Sequence, residues 1–250
     1  MSRTGHVCTT AILLAAGVGR RLQQAGHKIL APVGERSLLE RHLLSLAAAG
    51  ISDINLTIGH EGEAVRRAVA EAGFADRVRF IENEHYRQGS LISLWTQRET
   101  LRAGRPVLLM DGDVLYDQRM LTRLLNAPGE AVLLVDRAIE PGDEPVKVCF
   151  RDQTIVDFRK RPEYAHDWHG ESVGFFKFSP VMAAALAERC ELRVADGPVS
   201  TEYEEAIRDL ILEDGKAFRA CDVSDLPWIE IDFPEDLARA REKILPLLIA

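Results

Sequence analysis

Residues Ala11-Ile-Leu-Leu-Ala-Ala-Gly17-Val-Gly19-Arg-Arg21-Leu-Gln-Gln-Ala-Gly-His-Lys28 decide how the rest of the chain is read. The small and apolar run Ala11 to Ala16 breaks into Gly17 and Gly19, and Arg20, Arg21 and Lys28 follow. An apolar run of this length ending in glycine reads as a buried strand feeding a tight turn. Glycine lets main-chain N–H groups approach an anion closely, and a helix starting beyond the turn adds a favourable dipole. Arg21 and Lys28 supply counter-charge of the kind several phosphates require. The stretch is therefore expected to cradle a polyphosphate, a tight turn with solvated arginines being the plainer alternative. No Gly-Lys-Ser/Thr follows, which excludes the Walker loop, and no third glycine completes the dinucleotide fingerprint.

Outward from this strand the chain alternates strand and helix patterns. Helices are expected at Ser37–Ala49, where Ser37 and Glu40 make a capping box, at Glu61–Ala72 and at Ser90–Ala103. Strands are expected at Ile54–Ile58, Val78–Glu82 and Pro106–Met110. Such alternation implies βαβ units and a mainly parallel sheet flanked by helices. From about Asp117 the rhythm changes, and Lys147–Phe150, Ile155–Phe158 and Val173–Phe178 read as antiparallel strands. Helices at Pro180–Arg189, Thr201–Glu213 and Pro234–Leu248 complete the pattern.

With 250 residues and no repeat or linker, a single domain over 1–250 is expected. Its parts would be an NTP-binding core over about 1–116, an acceptor lobe over about 140–205, and a returning strand and C-terminal helix over about 217–250. The net charge of −8 argues against a nucleic-acid partner. No apolar run reaches the roughly 20 residues of a membrane span. The four cysteines are scattered without a C-x-x-C pair and read as reduced thiols of a cytoplasmic protein. The N-terminal stretch loosely imitates a secretion signal, but its apolar core is short and runs straight into Arg20-Arg21.

Two acidic sites stand at strand ends. Asp111 and Asp113 follow the apolar run Val107–Met110, at the carboxyl edge where open parallel sheets bind ligands. Residues two apart on an extended chain point the same way, so both carboxylates can face one site, or simply cap a turn. In Trp228-Ile-Glu-Ile-Asp232-Phe-Pro-Glu-Asp, Glu230 and Asp232 alternate with apolar residues just before the final helix, where capping is the alternative role. Mg²⁺ on a polyphosphate takes only one or two protein carboxylates, which one aspartate from each strand end would satisfy.

Together the Leu-Ala-Ala-Gly-x-Gly-x-Arg-Leu loop with Lys28, Ser90, Asp113 and Asp232 resemble the nucleotidyltransferases that join NTPs to phosphorylated small molecules. The likeness covers nearly the whole chain. It is strongest to the small cytidylyltransferases acting on phosphocholine, 2-aminoethylphosphonate or inositol phosphate, and His27-Lys28-Ile29 is similar to the phosphocholine branch. The resemblance implies a Rossmann-like, GT-A-type core with a smaller antiparallel acceptor-binding lobe. It implies Mg²⁺ held by Asp113 and Asp232, and a triphosphate wrapped by the Gly17–Gly19 loop and neutralised by Arg21 and Lys28. The base would be read around Leu14, Ala15 and Ala16 and around Gly89 and Ser90, with Asp111 beside the nucleotide. The partners would then be CTP and a small phosphate or phosphonate substrate, with a homodimer allowed for; a sugar- or inositol-phosphate acceptor is the alternative.

The acceptor side is less specific. Lys147 and Lys160 are candidate phosphate contacts or solvated strand residues. Glu171 and the run Glu202-Tyr203-Glu204-Glu205 can meet a cation, Tyr203 and Glu204 together offering an aromatic face and a carboxylate. Acidic residues also favour a helix start for dipole reasons alone. Trp228 and Trp168 are further candidate walls, or core residues. A nucleotide-binding protein without turnover and a GT-A glycosyltransferase are the rivals from other classes.

Overall fold

The computed structural model describes residues 9–19, 27–138, 144–196 and 201–248. The opening apolar run forms β1 (Thr10–Leu14), buried along its whole length. It lies between β4 (Asp53–Ile58) and β6 (Val107–Asp111), parallel to both, and β5 (Val78–Glu82) adds parallel to β4. Side chains alternate between the faces of the sheet. Ala11 and Leu13 pack with α1 (Leu38–Ala48), α2 (Gly62–Glu71), α5 (Gln118–Asn126) and α8 (Pro234–Arg239). Ile12 and Leu14 pack with α3 (Ser90–Trp95), α4 (Arg98–Leu101), α6 (Pro180–Asp196) and α7 (Glu204–Asp214). Burial on both faces is why β1 and β6 read as continuous apolar runs rather than alternating ones.

The second half of the chain extends the same sheet. β11 (Trp168–Phe178) runs antiparallel to β6 through Phe175–Phe178 and to β8 (Ala131–Asp136), which β12 (Phe218–Asp222) joins in parallel. Towards its start β11 pairs instead with β9 (Lys147–Arg151), itself paired with β10 (Thr154–Arg159). The exchange falls at a register shift between Ser172 and Phe176, where Gly174 adopts φ +78°. Among the described residues, nine strands thus form one sheet, and the antiparallel strands of the expected acceptor lobe are its continuation. A short pair, β7 (Val114–Tyr116) with β13 (Trp228–Glu230), and a hairpin, β2 (Pro32–Val33) with β3 (Arg36–Ser37), are too brief to show a period in the sequence.

Two expected helices are divided. The segment 90–103 breaks between α3 and α4 because Gln97 is fully buried there and donates its amide to Thr57 Oγ1 on β4 at 2.8 Å. A buried amide is costly unless bonded, and that bond aims the residue at the sheet. The C-terminal segment passes from α8 into a wide turn over Ala240–Ile244 and a tight turn over Leu245–Leu247, where Pro246 lacks the N–H a regular helix uses. The start of α1 is as expected, with the Ser37 hydroxyl accepting from the Glu40 amide at 3.2 Å. Among the described residues no helix is long and apolar enough to cross a membrane.

Candidate active site

A cleft of about 840 Å³ opens over the carboxyl ends of β1 and β6, where β11 changes partner. Its floor is set by register. Leu14 pairs with Asp111, and the Gly112 amide donates to the Leu14 carbonyl at 3.0 Å. Gly112 has to be glycine, because a Cβ there would stand 2.7 Å from that carbonyl oxygen. From Leu14 the chain turns through Ala16, Gly17, Val18 and Gly19, all of which line the cleft. Gly19 has φ +58°, and a Cβ on it would come within 3.0 Å of the Lys28 stem. Lys28 begins a single tight turn, Lys28–Leu30, anchored by the buried Ile29.

The Lys28 ammonium lies between two carboxylates from distant parts of the chain, 3.1 Å from Asp113 Oδ2 and in hydrogen-bond contact with Asp232 Oδ1. Asp113 sits between β6 and β7. Asp232 follows β13, which is paired with β7, and the Ile231 amide donates to the Asp113 carbonyl at 2.9 Å. That pairing brings the two aspartates together. Capping of α8 falls to Asp236, whose Oδ2 accepts from the amides of Asp232 and Phe233 at 3.1 and 2.8 Å. The Asp232 side chain is thereby left to face Lys28. Burial alone would lower the Lys28 ammonium, but Asp113 and Asp232 hold it above the usual lysine range.

Glu230 joins this pair. Ligand oxygens of Asp113, Glu230 and Asp232 all lie within 4.8 Å of one another. Withdrawal from water, and then repulsion from Asp113 and Asp232, push Glu230 up to about 8. A trio of oxygen donors that repel one another fits a hard divalent cation such as Mg²⁺. Glu230 was not expected as a ligand, although its spacing two residues from Asp232 on a strand was the available signal.

Asp111 has a different partner. Burial, then Asp113 and Glu204, push its carboxyl above the usual range, and the Tyr203 hydroxyl, donating to Oδ2 at 2.7 Å, pulls it back. Gly174 makes room for this group, since a Cβ there would stand 2.1 Å from Asp111 Oδ2. The Tyr203 amide donates to Ser90 Oγ at 2.9 Å, and the Leu91 amide to the Thr201 carbonyl at 3.1 Å. Tyr203 therefore ties α3, β6 and the start of α7 into one wall.

A family match decides what kind of fold-bearer this is: the MobA-like NTP transferase domain covers residues 11–170. The chain belongs to that family. The chain is 30% identical over 246 residues to CMP-5′-(3-aminopropyl)phosphonate synthase of Streptomyces rubellomurinus, a match covering 94% of this chain and 39% of that one. It is 31% identical over 248 residues to a bifunctional IPC transferase and DIPP synthase of Rubrobacter xylanophilus, covering 97% and 53% respectively. The chain thus spans about half or less of the length of these curated relatives. Its fold resembles CTP:phosphocholine cytidylyltransferase from Streptococcus pneumoniae, with a TM-score of 0.73, 20% identity, and 94% and 99% of the two chains covered.

In this member of the family the cleft gathers Leu14, Ala16, Gly17, Gly19, Lys28, Gly89, Ser90, Asp111, Asp113, Glu171, Tyr203, Glu204, Trp228 and Asp232. Arg21 lies outside the described residues. Ala15 packs into the core instead of lining the cleft, its amide donating to the Thr57 carbonyl at 3.0 Å. The Lys147 ammonium donates to the Lys160 carbonyl at 2.9 Å and stands outside the cleft lining, whereas Lys160 lines it. The expected aromatic face of Tyr203 is also corrected. Its ring is 2% exposed and set edge-on to Phe176, so only the hydroxyl serves the site. Trp228 lines the cleft with its indole N–H donating to Asp136 Oδ2 at 2.8 Å. Glu204, at the first position of α7, is pushed up to about 8 by burial and then by Glu202. Along the described walls carboxylates outnumber cationic side chains.

Proposed function

We propose that the chain transfers CMP from CTP to a small phosphate or phosphonate acceptor, of the 2-aminoethylphosphonate or phosphocholine type, and releases pyrophosphate. The observation that carries this reading is the Lys28 ammonium set between Asp113 and Asp232 beside the glycine loop, at the carboxyl edge of β1 and β6. A carboxylate trio with a lysine inside it suits chemistry in which anions must approach one another. The names of the aminopropylphosphonate and phosphocholine relatives point to the same acceptor chemistry.

An ionised phosphate or phosphonate oxygen of the acceptor attacks the α-phosphorus of CTP, the bond to the bridging oxygen breaks, and pyrophosphate leaves. The acceptor oxygen is already deprotonated at neutral pH, so no general base is required. Catalysis then consists of positioning and charge neutralisation. The Gly17–Gly19 amides and Arg21 would hold the outer phosphates, and Lys28 would meet charge developing at the α-phosphate. Leu14, Ala16 and the Gly89–Ser90 turn would border the base. Asp113 and Asp232, with Glu230, would hold Mg²⁺, which when bound neutralises phosphate charge.

The test is pyrophosphate release with Mg²⁺, each NTP, and 2-aminoethylphosphonate, phosphocholine, inositol phosphate and hexose 1-phosphate as acceptors. Release is expected with CTP and an amine-bearing acceptor. Release with hexose 1-phosphate and neither amine acceptor would move the assignment to a sugar-phosphate nucleotidyltransferase. Tight CTP binding without release from any acceptor would leave a nucleotide-binding protein.

A further inference from the structure

Resting on the reading of this cleft as the transfer site, we infer that the acceptor carries an ammonium with N–H bonds, a primary amine rather than a quaternary one, and that Glu204 receives it. Glu204 lines both the cleft and an adjoining pocket of about 420 Å³. Its Oε2 is sealed from solvent and has no hydrogen-bond partner within the protein. A shut-in carboxylate oxygen without a donor is costly, and because the side chain as a whole is part-exposed, a turn about its last torsion presents that oxygen to a donor brought by a ligand.

Lys160, Arg159 and Arg208 give their hydrogen bonds to other carboxylates, and Lys160 reaches Glu204 only through its charge. Lys160 serves Glu202 at 3.1 Å and Glu144 at 3.7 Å. Arg159 serves Glu205 at 3.1 Å, and Arg208 serves Asp157 at 2.6 Å and Glu163 at 2.9 Å. Burial and Glu202 already disfavour the charged form of Glu204, so an arriving cation relieves it in a way that a neutral sugar hydroxyl does not. The same surroundings argue against a quaternary ammonium. That group has no N–H to give Oε2 and is bound by open aromatic faces. The ring of Tyr203, the aromatic beside Glu204, is buried against Phe176. Trp228, Tyr86 and Phe233 are the other aromatic walls of the cleft, so it is the carboxylate at Glu204, rather than a lack of rings, that disfavours a quaternary group. An N–H donor to a carboxylate is the stronger match, being charge-assisted and directional.

The experiment is a graded acceptor series in the pyrophosphate assay with CTP. It comprises 2-aminoethylphosphonate, its N-methyl, N,N-dimethyl and N,N,N-trimethyl forms, and ethylphosphonate without the amine. KM is expected to rise by about 10- to 100-fold from the primary amine to the trimethyl form and to ethylphosphonate, the worth of a hydrogen bond to a charged group. Glu204→Gln should raise KM for 2-aminoethylphosphonate by a similar factor and flatten the series, while calorimetry shows CTP binding as in the wild type. A trimethyl acceptor used as well as the primary amine would overturn the inference and leave CMP transfer standing. No release from any acceptor would overturn the transfer reading and this inference with it.

Discussion

The two ends of the cleft both present carboxylates and treat them in opposite ways. At one end Asp113, Glu230 and Asp232 converge from two strand ends, and the chain inserts Lys28 among them. At the other end Glu204 keeps a shielded oxygen with no donor, although Lys160, Arg159 and Arg208 all stand in the same region. The difference teaches where charge has to come from outside. The first end sets its own lysine against its carboxylates, and on the proposed reading it also takes a metal ion, so changes there should act on turnover. On the proposed reading the second leaves an unpartnered carboxyl oxygen for the acceptor, so changes there should act on acceptor affinity.

The hardest test of that contrast is loss of a member of the trio. Asp113→Ala and Asp232→Ala are each expected to lower kcat by roughly 100- to 1,000-fold, as removal of a group that stabilises transition-state charge does. Steady-state pyrophosphate release at saturating acceptor is the measurement. A near-normal kcat with raised acceptor KM in either variant would erase the distinction between the two ends. Lys28→Ala comes next, with an expected loss of about 100-fold. Lys28→Arg should not restore the rate. The Lys28 stem runs so close beneath the loop that a Cβ on Gly19 would stand 3.0 Å from it, and a forked guanidinium does not replace a compact ammonium in such a slot. Recovery to within a few-fold of the wild type would make Lys28 a generic counter-charge.

Gly174→Ala probes the seam between the ends. Its φ of +78° alone costs a side chain about 1–2 kcal/mol. The added Cβ would also collide with Asp111 Oδ2, which has nowhere to go while Tyr203 holds it. Urea unfolding should show a loss of about 2 kcal/mol, with kcat and acceptor KM both impaired. An unchanged midpoint would mean that the β11 bulge relaxes and that the seam is not rigid.

Features set by local pattern were legible in the sequence. The apolar run and its glycines located β1 and the loop, the Ser37–Glu40 spacing located the start of α1, and the acids after apolar runs located both strand ends. What escaped depends on partners far along the chain. Gln97 breaks a helical pattern because Thr57 lies across from it on β4. For Lys147, a phosphate contact or a solvated strand residue from sequence, the Lys160 carbonyl it meets lies across the β9–β10 hairpin. Glu230 becomes a ligand candidate only when β13 pairs with β7 and carries it to Asp113. In Glu-Tyr-Glu-Glu the pattern suggests a cation site or a helix start, and Ser90 and Asp111 draw Tyr203 inward.

That inward pull makes Tyr203→Phe the gentlest and most discriminating change. The ring can keep its edge-on packing against Phe176, and the backbone bond to Ser90 is untouched. Only the hydroxyl that donates to Asp111 is lost. Stability should fall by about 1 kcal/mol, the net worth of one hydrogen bond, and by more only if Asp111 finds no other donor. Because the phenol faces Asp111 on the floor of the cleft and not Glu204, KM for CTP and for the acceptor should shift together, by no more than a few-fold. A rise confined to the amine-bearing acceptor would return Tyr203 to the acceptor pocket as an aromatic wall. That outcome would mean that the α7 end binds its cation through a ring face as well as through Glu204, and the contrast between the two ends would narrow.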